Sequence, residues 1–344
     1  MKVAFLFNRK PEGSDQADER YCEWDAPDTI AAVANALRQR YEVVELDCHP
    51  DRLSEIIARL QAERPILCFN LAEGFGPPSR EAQIPALLDM LGFRYTASDP
   101  LTLAIALDKA RTKEVLAHHR IASPLHRVVD DVENLNELLD AITFPMIVKP
   151  VHEGSSKGIF ERSVVDNAAD LKRQVGEVIR DYQQPAIVES YLPGREFTVP
   201  LVGNGDKVEA LPLVEIDFAC LPDGAKNFYS FEAKWVWDNE EHPIDIARCP
   251  TQVEPDLEAE IVDLARRAFV ALRCRDWARI DVRLDADGSP HVLEVNPLPG
   301  VLPDPILPSA FPLAARHQGL SYEDLILKVV DVALERLSAA PAFD

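Results

Sequence analysis

The chain has 344 residues, 47% of them hydrophobic and 27% charged, with 14 Gly and 27 Pro, a profile that buries substantial cores and excludes wholesale disorder. At about 150 residues per domain, that length points to two or three domains. Against 36 Lys and Arg stand 58 Asp and Glu, a formal net charge of −22, and a field of that sign excludes nucleic acid and anionic membrane surfaces as natural partners. Any phosphate-bearing ligand must be held by a local cluster of cations together with a metal.

The apolar run Lys2 to Asn8 reads as a strand. Asp28 to Arg40 carries Ile30, Val33, Ala34 and Leu37 at helical spacing, with Asp28 as N-cap after Pro27. Tyr41 to Asp47 is a second strand, Asp51 to Arg64 a second helix, Ile66 to Asn70 a third strand and Ser79 to Leu91 a third helix before Arg94 to Ser98. That alternation implies a parallel α/β sheet. Ligands of such sheets sit beyond the carboxyl ends of the strands, here Asn8 to Asp25 and Asn70 to Gly76.

From Asp99 the pattern becomes one long helical stretch through His119, then strands around His126 to Val129 and Phe144 to Pro150. A glycine loop, Glu153-Gly-Ser-Ser-Lys-Gly158, precedes a strand from Ile159 to Val165 and a helix from Asn167 to Tyr182. This reads as a small α+β domain. The runs Ala186 to Tyr191, Glu196 to Val202 and Val208 to Ile216 are consecutive strands of a larger antiparallel sheet, followed by a helix from Asp256 to Leu272, a hairpin and two closing helices. The domain limits implied are 1–98, 99–185 and 186–344. The Pro-rich stretch Asn296 to Pro308 is a candidate site wall.

Cys22, Cys48, Cys68, Cys220, Cys249 and Cys274 form no C-x-x-C and read as free thiols. The amino-terminal MKVAFLFNRKPEG has too few apolar residues for a signal-peptide core, and no other run approaches a membrane span. The expectation is a soluble cytoplasmic protein.

The segment from Arg279 to Asn296 is the most informative. Asp287-Gly288 between two alternating apolar runs signals a two-residue type I′ hairpin turn. Pairing about that turn sets Asp281 opposite Glu294 and Arg279 opposite Asn296, all on one face, with Ile280, Val282, Leu284, Leu293 and Val295 on the other. Carboxylates directly across a strand pair repel unless a cation lies between them, and hard oxygen donors call for Mg²⁺. The alternative is a solvated face on which Arg279 neutralises the acids. Pro290 removes one ladder donor and threatens the register. Lys109, at a helix's solvent margin, and Lys149, at a strand end before the glycine loop, gain meaning beside this hairpin, because the loop's small residues let backbone N–H groups approach phosphate oxygens. Neither G-x-x-x-x-G-K-[ST] nor G-x-G-x-x-G occurs. His152, beside the glycine loop, reads as a positional contact, and Cys249, which lacks a base partner in sequence, as packing.

Asp108-Lys109, Val148-Lys149-Pro150, Glu153-Gly-Ser-Ser156, Glu189 with Gly194-Arg-Glu-Phe-Thr-Val199, Glu232-Ala-Lys234, Arg279-Ile-Asp281 and Leu293-Glu-Val-Asn296 with Pro299-Gly300 together resemble the D-alanine:D-alanine ligases of the ATP-grasp superfamily. Arg94-Tyr-Thr-Ala-Ser-Asp99 adds a ligase-like segment. The resemblance implies an ATP-grasp fold with an amino-terminal parallel α/β domain, a small central domain and a larger antiparallel-sheet domain. It implies an ATP-dependent ligase that joins a carboxylate to an amine through an acylphosphate, with ATP and two Mg²⁺ (or Mn²⁺), small-molecule substrates and a homodimeric assembly. By that similarity Lys109, Lys149, Glu153, Ser155, Ser156, Glu189, Leu192, Glu196 and Lys234 bind the nucleotide, Glu189 at the adenine amino group and Glu196 at the ribose. Asp281, Glu294 and Asn296 ligate metal. Arg279, Lys234, Ser155 and Glu23 serve catalysis, Glu23 holding the first substrate's ammonium with Asp25 as the other match. The segment from Asp217 to Asp238, rich in Phe, Tyr and Trp, is a candidate lid.

Two departures bear on substrate. Where the family has a tyrosine after the lysine, Trp235 stands, whose indole donates and cannot accept. Where it offers a serine to the second substrate's carboxylate, this chain has Asp304 and Pro305. A second substrate other than D-alanine is therefore expected. The competing readings are an ATP-binding regulatory module without catalysis and a small-molecule kinase on the same scaffold.

Overall fold

The structure is a computed structural model and describes residues 1–14, 18–76, 78–135, 139, 142–237, 244–304 and 309–339. Strands β1 (Lys2–Phe7), β2 (Glu42–Asp47) and β3 (Leu67–Asn70) form a parallel sheet in the order β2-β1-β3. Helices α1 (Pro27–Arg38), α2 (Leu53–Glu63) and α3 (Gln83–Leu91) connect and cover them. Central β1 is buried on both faces, as an apolar run without alternation requires. Ala26 caps α1, and Pro27 occupies its first turn. Asp28 is thus not the cap but an acid inside the first turn, where it meets the positive end of the helix dipole. Arg94 to Ser98 contributes only a bridge from Tyr95 to Cys68.

The single helix expected over 99–119 is two, α4 (Pro100–Leu107) and α5 (Lys109–His118). Asp108 is extended between them, and its carboxylate accepts the N–H groups of Ala110 and Arg111, capping α5. The break has a consequence for Lys109. It becomes the first residue of α5 and is buried, not at a solvent margin.

Strands β4 (His126–Val129), β5 (Met146–Pro150), β6 (Val164–Val165) and β7 (Ala186–Ser190) form an antiparallel sheet in the order β4-β7-β5-β6, backed by α6 (Ala168–Tyr182). The strand expected over 159–165 shrinks to β6, because Glu161–Ser163 is a 3₁₀ turn. The third sheet runs β11 (Ala247–Arg248), β10 (Val214–Ile216), β8 (Glu196–Gly203), β12 (Asp276–Leu284), β13 (Pro290–Asn296), with β9 (Glu209–Ala210) also on β8. Pro212, lacking an N–H, falls between β9 and β10 where one continuous strand was expected. Helices α7 (Pro255–Ala271), α8 (Ala310–His317) and α9 (Tyr322–Ala339) complete the chain.

The β12–β13 hairpin reaches the expected register by a different route. Its turn is not a two-residue I′ turn: the Asp285 N–H donates to the Ser289 carbonyl at 2.9 Å, enclosing three residues that end in Gly288 at φ +84°. Continued unbroken, that pairing would set Asp281 against Leu293 and turn Glu294 to the other face. A bulge between Asp281 and Val282 absorbs one residue and restores Asp281 opposite Glu294 and Arg279 opposite Asn296. Leu293, expected in the apolar face, is the extra residue and stays half-buried, while Val292 and Val295 enter the core.

One core cluster joins β1, β3 and α1 to Val202, Val214, Trp277, α8 and α9, so the first and last thirds of the chain share a core. Asp276 fastens this junction. Fully buried, it accepts from Arg336 Nε and Nη2 at 2.8 Å each, from the Ala97 N–H at 2.9 Å and from Asn204 Nδ2 at 3.0 Å. Asp276→Ala leaves a partly buried guanidinium without its counter-charge. It is expected to destabilise the fold by about 3–5 kcal/mol, read as a lower urea midpoint.

Candidate active site

The ribbon formed by β12 and β13 gathers the residues expected to hold metal. Asp281 accepts from Thr198 Oγ1 at 2.8 Å, from Arg279 Nη2 at 3.0 Å and from Asn296 Nδ2 at 3.0 Å. Directly opposite, Glu294 meets Lys109 Nζ at 3.3 Å. Burial raises the carboxyl pKa of Glu294, but Lys109, Arg279 and Lys149 outweigh it and bring the group below its ordinary value. Lys109 Nζ also donates to the Glu153 carbonyl at the start of the glycine loop. The α5 break at Asp108 is what aims that lysine inward.

Behind the ribbon lies a buried ion triad. Glu189 on β7, with no exposed side-chain surface, meets Lys149 of β5 at 2.8 Å and Lys113 of α5 at 3.0 Å. Burial pushes its pKa up, yet the two ammonium groups bring it down to about 2. Glu196, at the head of β8, meets Arg283 at 3.2 Å, and Leu192 is buried just beyond β7. The residues expected at the nucleotide therefore come from β5, β7, β8 and α5, with Glu189 and Glu196 both held by internal cations.

The glycine loop closes over the amino-terminal domain. Ser155 and Ser156 both adopt left-handed backbone, at φ 53° and 59°, a conformation that costs about 1–3 kcal/mol per residue and persists only when the surroundings enforce it. Here the enforcing contacts are Trp235 Nε1 donating to the Ser155 carbonyl at 3.0 Å and Ser156 Oγ donating to the Tyr229 carbonyl at 2.9 Å. Both come from the candidate lid, whose Phe228 and Phe231 are buried; its last residue, Asp238, lies outside the described residues. At Gly154 a Cβ would lie 2.5 Å from Glu23 Oε1, so any side chain there would push the Glu23 carboxylate aside. Lys234, beside Trp235, has its pKa lowered by burial and by the Arg279 charge.

Glu23 is not a free carboxylate. Its Oε2 accepts from Arg80 Nη2 at 2.8 Å and from Lys157 Nζ at 2.7 Å, and Lys157 also meets Glu153 at 2.9 Å. Burial raises the Glu23 pKa, but these cations take it down to about 2. Asp25 sits apart: its backbone pairs with Asn8 and Lys10, and burial alone pushes its carboxyl up to about 7. Glu73 and Glu81, lining the same end, are raised as well, Glu81 to about 7, by burial and by neighbouring acids. Arg80, Glu81, Lys113 and Lys157 escaped the sequence reading. Lys157 lies inside the glycine loop and Arg80 opens the third helical segment, but the ion pairs that place Arg80, Lys113 and Lys157 reach across 57 to 134 residues of sequence, which no local pattern reports.

His152 is a positional contact, 3.7 Å from Asp108, with its pKa lowered by burial. All six cysteines are free, and burial raises the Cys249 thiol to about 11. Asp304 is described and interacts with neighbours, whereas Pro305 lies outside the described residues. Among the described residues no helix is long and apolar enough to cross a membrane.

Two antiparallel sheets holding inward lysines, a serine-glycine loop and an acidic ribbon define the ligase class of ATP-grasp proteins. The comparisons agree. The family described as D-Ala–D-Ala ligase C-terminus matches residues 121–331. Protein y4sG of Sinorhizobium fredii is 36% identical over 270 residues, covering 78% of this chain and 75% of that protein. The D-alanine–D-alanine ligase of Pelotomaculum thermopropionicum is 34% identical over 317 residues, 89% of this chain and 91% of its own. Among solved structures, the Bacillus anthracis D-alanine–D-alanine ligase complexed with ATP superposes with a TM-score of 0.70 at 21% identity, covering 98% of this chain and 99% of that one. The chain belongs to the D-alanine–D-alanine ligase family and is an ATP-dependent ligase of the kind that forms C–N bonds.

The high pKa of Asp25 has a measurable sign. Folding raises it from 3.8 to about 7, so the folded state binds the proton more tightly than the unfolded chain. The stability this contributes is present below the unfolded value and lost as pH rises through about 7. Asp25→Asn removes that loss. Thermal melts from about pH 5 to about pH 8 are expected to show the variant gaining on wild type as pH rises.

Proposed function

We propose that this chain activates a small-molecule carboxylate with ATP and joins it to an amine other than D-alanine, with Asp281, Glu294 and Asn296 holding two divalent cations. The observation that carries the reading is the register of β12 and β13, which brings two carboxylates and an amide together beside Arg279 and Lys109. Their oxygens are the hard donors that Mg²⁺ takes, and Mn²⁺ suits the same set. Among the described residues no three His, Cys, Asp or Glu side chains converge as a ligand group. Mg²⁺ bound through one or two carboxylates, with water and nucleotide phosphate completing its shell, needs none. When bound, such cations neutralise phosphate oxygens.

This chain's residues supply the rest. Lys109 and Lys149 bind phosphate oxygens, and the Ser155–Ser156 loop covers them. Arg279 and Lys234 stabilise charge on the transferring phosphoryl group, for which positioning and electrostatics are nearly the whole of catalysis. A substrate carboxylate oxygen attacks the γ-phosphorus and ADP leaves. The acylphosphate is then opened by the amine through a tetrahedral intermediate that expels phosphate. The lid segment excludes water, which would otherwise hydrolyse the acylphosphate.

The departure at Trp235 supports a substrate other than D-alanine. Its N–H is spent on the Ser155 carbonyl, and an indole offers no acceptor in return. Glu23, moreover, already carries Arg80 and Lys157 on one oxygen.

ADP release over a panel of carboxylates and amines tests the proposal. The expected result is release that requires both partners and yields an amide. Release with a carboxylate or alcohol alone and a stable phosphorylated product would instead identify a kinase. Nucleotide binding without turnover on any pair would identify a regulatory module. Glu294→Gln and Arg279→Ala are each expected to lower kcat by about 100-fold or more, with the melting temperature of the Glu294 variant near wild type.

A further inference from the structure

Helix α5 presents two lysines on one face. Lys109 and Lys113 are four residues apart, one helical turn, and so stack along the same side. Both reach β13, and they reach consecutive residues of it. Lys109 Nζ meets the Glu294 carboxylate at 3.3 Å, while Lys113 Nζ donates to the Leu293 carbonyl at 2.9 Å. Leu293 is the residue left over by the β12–β13 bulge, and its carbonyl accepts this charge-assisted bond from a side chain that is 1% exposed. The same ammonium meets Glu189, whose second oxygen is held by Lys149.

We propose that Lys113 is a positioning residue: it fixes the bulge that sets Glu294 opposite Asp281 and couples that setting to Glu189 on the nucleotide side. The proposal rests on the metal-dependent reading given above. Its physical basis is the bulge itself. The three-residue turn alone would slip the ribbon by one residue, and the bulge is the sole correction between the turn and the site. A bulge leaves its extra residue outside the ladder pairing, and the Leu293 carbonyl is held by the buried Lys113 ammonium. Because that ammonium also balances Glu189, the central sheet and the acidic ribbon share one cation. Lys113 touches neither reacting atoms nor metal ligands; it acts through the backbone beside one of them.

The test measures Mn²⁺ binding in the presence of ADP by electron paramagnetic resonance, together with ADP binding in EDTA by calorimetry. Lys113→Met is expected to weaken Mn²⁺ binding by about 10- to 100-fold, the range for losing a group that supports a metal ligand, and to weaken ADP binding in EDTA by less. Lys113→Arg, which restores a donor, is expected to recover much of the loss. A role confined to stability would lower the melting temperature and the number of competent sites while leaving Mn²⁺ affinity unchanged, and that result overturns the proposal. If Lys113→Met does not fold because Glu189 retains one cation only, the paired variant K113M/E189Q is read in the same way. Wild-type protein that binds no Mn²⁺ with ADP, or binds it indifferently to Glu294→Gln, overturns the metal reading and the proposal with it. A change limited to Lys113 variants, with wild type behaving as expected, bears on the proposal alone.

Discussion

Two carboxylates facing each other across neighbouring strands repel, and the site depends on how the fold keeps Asp281 and Glu294 in that arrangement. Each acid has its own attendants. Thr198, Arg279 and Asn296 donate to Asp281, while Lys109 meets Glu294 from another helix. Fixed donors in a partly buried site act at a lower effective dielectric than water and hold the charges where divalent ions can reach them. In the proposed reading the arrangement is poised, because the oxygens now held by internal cations are the ones an incoming metal would take.

The overall charge of −22 gives this local cationic cluster its significance. A phosphate-bearing ligand is repelled at long range, so affinity must come from close contacts. Lys109, Lys149, Lys157, Lys234, Arg80 and Arg279, drawn from five separate stretches of chain, are the cations of the proposed site. The amino-terminal end shows the opposite balance. Beyond Glu23, the half-buried acids Glu73 and Glu81 have raised pKa values because desolvation and neighbouring carboxylates disfavour their charges.

The parallel sheet and the pairing of Asp281 with Glu294 were legible in alternation and turn chemistry, whereas β7, expected in the larger antiparallel sheet, lies between β4 and β5 of the central one, because its partners are strands distant in sequence. The pairing was nonetheless reached through two compensating errors in the turn. A three-residue loop shifts the register one way and a bulge shifts it back, and the sequence has no separate mark for the bulge, whose extra residue, Leu293, is contacted by a lysine on a helix 180 residues away. Lys109 was misplaced for a related reason. Apolar periodicity runs across Asp108 without interruption, so the capping break that turns the lysine inward is visible only as an Asp at a plausible cap. The Asp28 cap failed because Pro27 fits the first turn and displaces the cap by two residues to Ala26. The short strand β6 yielded to a 3₁₀ turn whose Ser163 hydroxyl accepts the Phe160 N–H.

The most direct test of the account is anomalous diffraction from a crystal grown with Mn²⁺ and ADP. The account predicts manganese peaks about 2.0–2.2 Å from oxygens of Asp281, Glu294 and Asn296, the distance expected for a small hard divalent ion, with Lys109 and Arg279 turned toward phosphate. Manganese bound elsewhere, with Arg279 still on Asp281 and Lys109 still on Glu294 beside the bound nucleotide, would contradict it.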